Sequence, residues 1–154
     1  MESLSKFDHA HMAAAEVYAK LSSANRLKVG CIIVKDNRII SIGYNGMPSG
    51  WTNECEDFLM DVNFDVHEND KEIYGEYKTK PEVLHAETNA IAKVARSNES
   101  ATDSTLYCTH APCLDCAKLI YQSGVSRVVW KHQYKTTSGL EFLEKAEIEC
   151  ICIG

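Results

Sequence analysis

From residue 106 onward the chain alternates extended and helical patterns: 106–109 strand, 113–122 helix with Gly124 as its stop, 125–130 strand, 139–146 helix and 148–153 strand. Strands separated by helices join through right-handed crossovers and become parallel neighbours. The 17 residues from Lys131 to Glu147 suffice for a crossover, so the last two strands are expected to run parallel. Upstream, residues 29–34 and 39–44 flank a Lys-Asp-Asn-Arg turn and read as a β-hairpin, followed by a Gly/Pro-rich loop at 45–50. Helical spacing marks 85–96 and also 7–21, where Phe7, Ala10, Ala14, Val17, Tyr18 and Leu21 form the expected inward stripe and His9 and His11 read as surface or boundary residues. The expected fold class is α/β: a three-layer α/β/α arrangement in which helices cover both faces of a mixed five-stranded sheet.

A length of 154 residues predicts one domain, 1–154, able to bury its own core without a disulfide or metal staple. A metal site would therefore need a functional reason. Sixteen Lys and Arg against 22 Asp and Glu give a charge of −6, which is not the basic footprint of a phosphate-backbone binder, so no nucleic-acid partner is expected. No apolar run is long enough for a membrane span and the first ten residues lack an apolar signal core; the expected setting is the cytoplasm, where seven cysteines read as thiols or metal ligands. Residues 57–84, with eight acids and three lysines and no sustained period, are read as an acidic surface insertion on a common core, His67 included.

Two short motifs carry chemistry. Chance gives about 0.5 matches to His-x-Glu in a shuffled chain of this composition but about 0.006 to Pro-Cys-x-x-Cys, so Pro112-Cys113-Leu114-Asp115-Cys116 is the anchor and His85-Ala86-Glu87 its companion. Cys113 and Cys116 are three apart at a helix start, where the helix dipole favours thiolates. With His85 they form an N/S set suited to zinc and leave one coordination position free. A fourth side chain there would make the site structural; a water would make it catalytic. Cys31, Cys108, Cys150 and Cys152 read as small core residues in strands, leaving no second Cys-x-x-Cys to close the site. A redox pair is weakened by Pro112 before the cysteines. Glu87 is placed to take a proton from activated water and pass it to a ring nitrogen and a leaving amine.

The pairing of these motifs is the signature of zinc-dependent nucleobase deaminases. The element order from Phe7 to Ile153 resembles the cytidine-deaminase-like fold. Gly43-Tyr44-Asn45-Gly46-Met47-Pro48-Ser49-Gly50, His85-Ala86-Glu87-Thr88-Asn89-Ala90-Ile91, and Cys116-Ala117-Lys118-Leu119-Ile120 followed by Ser123-Gly124-Val125 resemble the deoxycytidylate (dCMP) deaminases. The resemblance implies deamination of dCMP to dUMP for thymidylate synthesis by a homo-oligomer, usually a hexamer, activated by dCTP and inhibited by dTTP with Mg2+. By motif, His85, Cys113 and Cys116 would hold Zn2+ and Glu87 would be catalytic. Asn45 would meet the sugar 3'-hydroxyl, the Ala86 N–H the pyrimidine and the Ala111 carbonyl the exocyclic amine. Lys28 and Tyr134 would bind the 5'-phosphate, with Arg26 and Lys135 as neighbours, and Gly43, Asn45 and Gly46 would belong to the regulatory nucleotide loop.

Some phage-type members hold a second, structural zinc with cysteines before the Lys-Val-Gly stretch; here Ala24 and Asn25 stand before Arg26, so Cys55 lacks those partners and one zinc per chain is expected. Two other activities compete. A deaminase of adenosine in tRNA would want a basic groove, and a free-nucleoside deaminase would end in an antiparallel strand pair. A non-catalytic zinc module would need a fourth protein ligand and would tolerate loss of Glu87.

Overall fold

The computed structural model describes residues 3–60 and 75–154. Among these, helix α1 spans Lys6–Ala19, strands β1 and β2 span Gly30–Lys35 and Arg38–Tyr44, and a short strand pair, β3 and β4, spans Glu56–Met60 and Gly75–Thr79. Helix α2 (Ala86–Ala95), strand β5 (Thr105–His110), helix α3 (Leu114–Gln122), strand β6 (Arg127–His132), helix α4 (Ser138–Lys145) and strand β7 (Glu149–Cys152) follow. The main sheet has the order β2-β1-β5-β6-β7. Both β1 pairings are antiparallel, whereas β5–β6 and β6–β7 are parallel, as the crossover length required.

Period-two alternation divides the core between the two faces. Cys31, Ile33, Leu106, Cys108 and Val128 point to one side, where Ala86, Ala90 and Val94 of α2, Ala117 and Ile120 of α3, and Leu143 of α4 close over them. Ile32, Val34, Tyr107 and Val129 point to the other, beneath Met12 and Ala15 of α1. The expected five-stranded, helix-covered sheet is thus the one observed. The tight turn between β1 and β2 places Asp36 and Asn37 at positive φ, 51° and 57°, the left-handed pair that a two-residue hairpin loop demands and that Asp and Asn tolerate.

Helix α1 differs from expectation in its face. Phe7, Val17 and Leu21 are exposed, and the buried side is Asp8, Met12, Ala15 and Ala19. Two interactions overrule the larger apolar residues. Alanines let the helix approach the sheet so closely that a Cβ on Gly30 would lie 2.0 Å from the Ala15 carbonyl oxygen. Asp8 caps the helix through Ser5, then accepts hydrogen bonds from the Tyr107 hydroxyl at 2.7 Å and from Arg127 Nη1 at 2.7 Å. Burial alone would raise the Asp8 pKa; the Arg127 guanidinium, Ser5 and Tyr107 instead hold it well below the usual carboxylate range.

The segment 57–84, expected as an acidic surface insertion, contains ordered strands at its ends. Its two ends form the antiparallel ribbon β3–β4, with Glu56 opposite Thr79 and Phe58 opposite Tyr77. Strand β4 is exposed along its whole length, so no buried face leaves a period-two trace in the sequence. Residues 61–74, with His67, lie outside the described residues. Cys31 and Cys108 are fully buried and Cys150 packs against the core, whereas Cys152, opposite Trp130 on the edge strand β7, is exposed.

Candidate active site and metal centre

Two helices begin at the same place. His85 is the N-cap of α2 and Cys113 the N-cap of α3, both in extended conformation, and Cys116 lies in the first turn of α3. Neither N-cap uses its side chain to cap its own helix, which leaves both free for another role. His85 Nδ1 lies 3.6 Å from Cys113 Sγ and 3.3 Å from Cys116 Sγ. A tetrahedral zinc with ordinary Zn–S and Zn–N lengths requires N···S edges of about 3.6 Å, so the three donors stand at the separation one ion would impose. Among the described residues these three side chains, and no fourth, form the group able to hold a metal. The arrangement fits an open zinc site and leaves a coordination position facing the cavity.

Electrostatics match that chemistry. The Cys116 thiol and the His85 ring stabilise the Cys113 thiolate and pull its pKa down to about 4. The partial charges of the unpaired N–H groups at both helix starts favour anionic ligands at the same point. Glu87, two residues into α2, is 5% exposed, and its burial pushes the carboxyl pKa up against the opposing pull of its hydrogen bonds and of His85. A carboxyl shifted upward toward neutrality can both accept and donate a proton.

Glycines bring these groups together. A Cβ on Gly43 of β2 would meet the Ala86 carbonyl oxygen at 2.2 Å and Ala90 N at 2.7 Å; one on Gly139 at the start of α4 would meet the Pro112 carbonyl oxygen at 2.0 Å. Each metal-ligand turn therefore rests on a glycine of a neighbouring element. Polar ties fix α2 further, with Ser41 Oγ donating to the Ala90 carbonyl at 2.7 Å and Asn89 Nδ2 to the Tyr44 carbonyl at 3.2 Å.

A cavity of about 540 Å³ opens over the site. Its floor includes His85, Ala86, Glu87, Ala111 and Cys113, and Asn45 stands in its side. The Asn45 amide is engaged at both ends, accepting from Val29 N at 2.8 Å and donating to the Leu27 carbonyl at 2.7 Å. The outer rim carries Arg26, Gln133, Tyr134 and Lys135. Lys28 is exposed and does not line this cavity, although its neighbours Leu27 and Val29 do. Gly43 supports α2 from β2, while Gly46 exchanges two backbone hydrogen bonds with Leu84.

Sequence reasoning missed Glu56, Thr79 and His110, which also line the cavity. His110 sits opposite His132 with ring centroids 5.1 Å apart, and burial followed by the neighbouring imidazole lowers its pKa. Its position beside Pro112 was the available signal; Glu56 and Thr79 had none, because they reach the cavity through the ribbon.

Residues 5–132 match the family described as the cytidine and deoxycytidylate deaminase zinc-binding region. Deoxycytidylate deaminase of enterobacteria phage T2 is 36% identical over 132 residues, covering 70% of this chain and 70% of the phage protein. The human deoxycytidylate deaminase is 38% identical over 124 residues, covering 77% of this chain and 61% of the human one. Among solved structures, dCMP deaminase from cyanophage S-TIM5 in complex with dCMP and dUMP superposes with a TM-score of 0.83 at 37% identity, covering 99% of this chain and 100% of that one. With the His/Cys/Cys cluster, the buried Glu87 and the parallel β5-β6-β7 order all in place, this chain belongs to the cytidine and deoxycytidylate deaminase family.

Proposed function

We propose that the protein is a dCMP deaminase converting dCMP and water to dUMP and ammonia. The observation that carries this reading is a buried carboxyl, Glu87, beside a three-ligand metal group at the floor of a cavity whose rim is cationic. His85, Cys113 and Cys116 would hold zinc, which when bound would supply the Lewis acid that activates water. Glu87 would shuttle both protons of the attacking water, the first to pyrimidine N3, where it remains in dUMP, and the second to the amine, which leaves as ammonia. The Ala86 N–H and the Ala111 carbonyl orient the base edge. Asn45 orients the sugar, its remaining Oδ1 lone pair available to the 3'-hydroxyl. Arg26, Lys135 and Tyr134 receive the 5'-phosphate through charge-assisted hydrogen bonds, a role first expected of Lys28, which the cavity wall leaves outside.

The product would feed thymidylate synthesis in the cytoplasm. Regulation by dCTP and dTTP, each with Mg2+, fits the 43–50 loop: Asn45 fastens the cavity wall, so a nucleotide that moves the loop alters the substrate site directly. A hexamer built from a single domain, 1–154, is the assembly in this reading. Among the described residues no helix is long and apolar enough to cross a membrane.

Ammonia release from dCMP, deoxycytidine, cytidine and a tRNA anticodon stem is the test. The expected order puts dCMP first, with sigmoidal rates under dTTP and hyperbolic ones under dCTP. Deamination confined to the RNA would overturn the assignment, and hyperbolic rates throughout would remove the regulation alone.

A further inference from the structure

The β3–β4 ribbon meets the catalytic domain at its base, through the cavity wall. Glu56 Oε1 accepts hydrogen bonds from the backbone N–H groups of Asn25 at 2.9 Å and Arg26 at 3.1 Å, and Oε2 accepts from Asn25 Nδ2 at 3.3 Å. Thr79, directly opposite Glu56 in the ribbon, accepts from Arg26 Nη1 at 3.3 Å. Three donors on one carboxylate fix the bend at Asn25–Arg26, and the Thr79 hydroxyl fixes the guanidinium itself. At its other end the same segment is held by the Asn45 amide on Leu27 and Val29.

We propose that Glu56 is a positioning residue for the substrate's phosphate: it locks the 25–29 wall so that Arg26 is aimed across the cavity mouth before a nucleoside monophosphate arrives. The inference rests on the reading of Arg26 as a phosphate ligand. Arg26 is solvent-exposed, and a long exposed side chain must give up rotamer freedom to grip an anion. Ordering it beforehand removes that cost from the binding step. A carboxylate in this wall would otherwise repel a phosphate, but both its oxygens accept hydrogen bonds from Asn25 and Arg26. Arg26 and Lys135 on the rim leave a cationic surface toward the ligand. The β3–β4 ribbon thereby becomes part of the specificity apparatus: its anchoring pair, Glu56 and Thr79, selects phosphorylated over unphosphorylated substrate.

Steady-state kinetics with dCMP and deoxycytidine on the zinc-loaded full chain test this, with zinc content and melting temperature measured for each variant. Glu56→Ala should raise KM for dCMP about tenfold, leave kcat within about twofold, and leave kcat/KM for deoxycytidine unchanged. Glu56→Gln retains an acceptor for the two backbone N–H groups and should stay within about threefold of wild type. Thr79→Val, which keeps shape and frees the guanidinium, should raise KM for dCMP about threefold and carries the test if Glu56→Ala does not fold. An unchanged KM in both Glu56→Ala and Thr79→Val, or equal losses on the two substrates, overturns the proposal. A lower dCMP KM in Glu56→Gln also overturns it, because the carboxylate would then act as a repulsive charge. A wild-type enzyme that handles deoxycytidine as well as dCMP instead sinks the phosphate reading, and this proposal with it.

Discussion

Replacing Gly43 by alanine adds one methyl group outside the cavity and should nonetheless silence the site. The new carbon would start 2.2 Å from the Ala86 carbonyl oxygen and 2.7 Å from Ala90 N, both backbone atoms of the helix that bears Glu87. An ordinary contact requires a retreat of about 1 Å by the first turn of α2 or by β2. Strand β2 is hydrogen-bonded along β1 from Gly30 opposite Tyr44 to Lys35 opposite Arg38, so the helix start gives way. A displacement of about 1 Å of a catalytic group can cost on the order of 10²-fold in rate. Overpacking destabilises by about 1–3 kcal/mol, and relief of the glycine's excess chain entropy returns about 0.5–1 kcal/mol. The net loss of about 1–2 kcal/mol corresponds to a melting temperature lower by roughly 3–8 °C. The measurement is dCMP turnover per bound zinc, alongside calorimetry. Turnover per zinc within twofold of wild type, at any melting temperature, would show that the Gly43 contact does not position α2.

Glu87→Gln should keep zinc and fold and lose about 10²–10⁴-fold in kcat, since the amide keeps the shape and cannot carry the proton; near wild-type turnover at full zinc occupancy would remove Glu87 from the mechanism. Cys113→Ser should lose metal together with activity, checked by zinc content after dialysis. Asp8→Asn should cost about 3–5 kcal/mol, because Arg127 is left with a buried charge and only Glu149, at 3.2 Å, to answer it. The same pair sets an acid limit. The unfolded carboxyl takes up its proton near 3.8 and the folded one only well below that, so the pair's contribution is complete above pH 3.8 and drains away as pH falls beneath it. Wild-type melting temperature should therefore drop more steeply than that of Asp8→Asn between pH 5 and 2, and parallel profiles would contradict the role of the pair.

Parallel β5-β6-β7 order was legible because it follows from connection length and handedness, which the spacing of strand and helix patterns displays directly. The metal group was legible because few residue types bind zinc and the motif fixes their spacing. The inward face of α1 was not. Its first residue is a carboxylate, Asp8, and the partner that makes its burial affordable, Arg127, lies 119 residues away in sequence. The ribbon escaped notice for the opposite reason: exposed on both faces, it imposes no alternation. Arg26 lines the cavity and Lys28, two residues on, does not; the segment that carries both is held by Glu56 and Asn45 from other parts of the chain.

Strand β1 is buried along nearly its whole length and lies inside the sheet, with β2 paired along one of its edges and β5 along the other. Its first partner follows within a few residues, but Cys31 meets Cys108 only 77 residues later. On the ribosome, at about 5–20 residues per second, the hydrogen-bonding edge of the apolar strand β1 stays open for roughly 4–15 s until β5 emerges. A paired hairpin whose apolar strand leaves one row of N–H and C=O groups unpaired is the template on which strands of neighbouring nascent chains add. The yield of soluble protein in a cell should thus depend on how quickly the ribosome traverses the acidic stretch between the two halves of the sheet. Rare codons placed there would lengthen the exposure without changing a single residue of the finished enzyme.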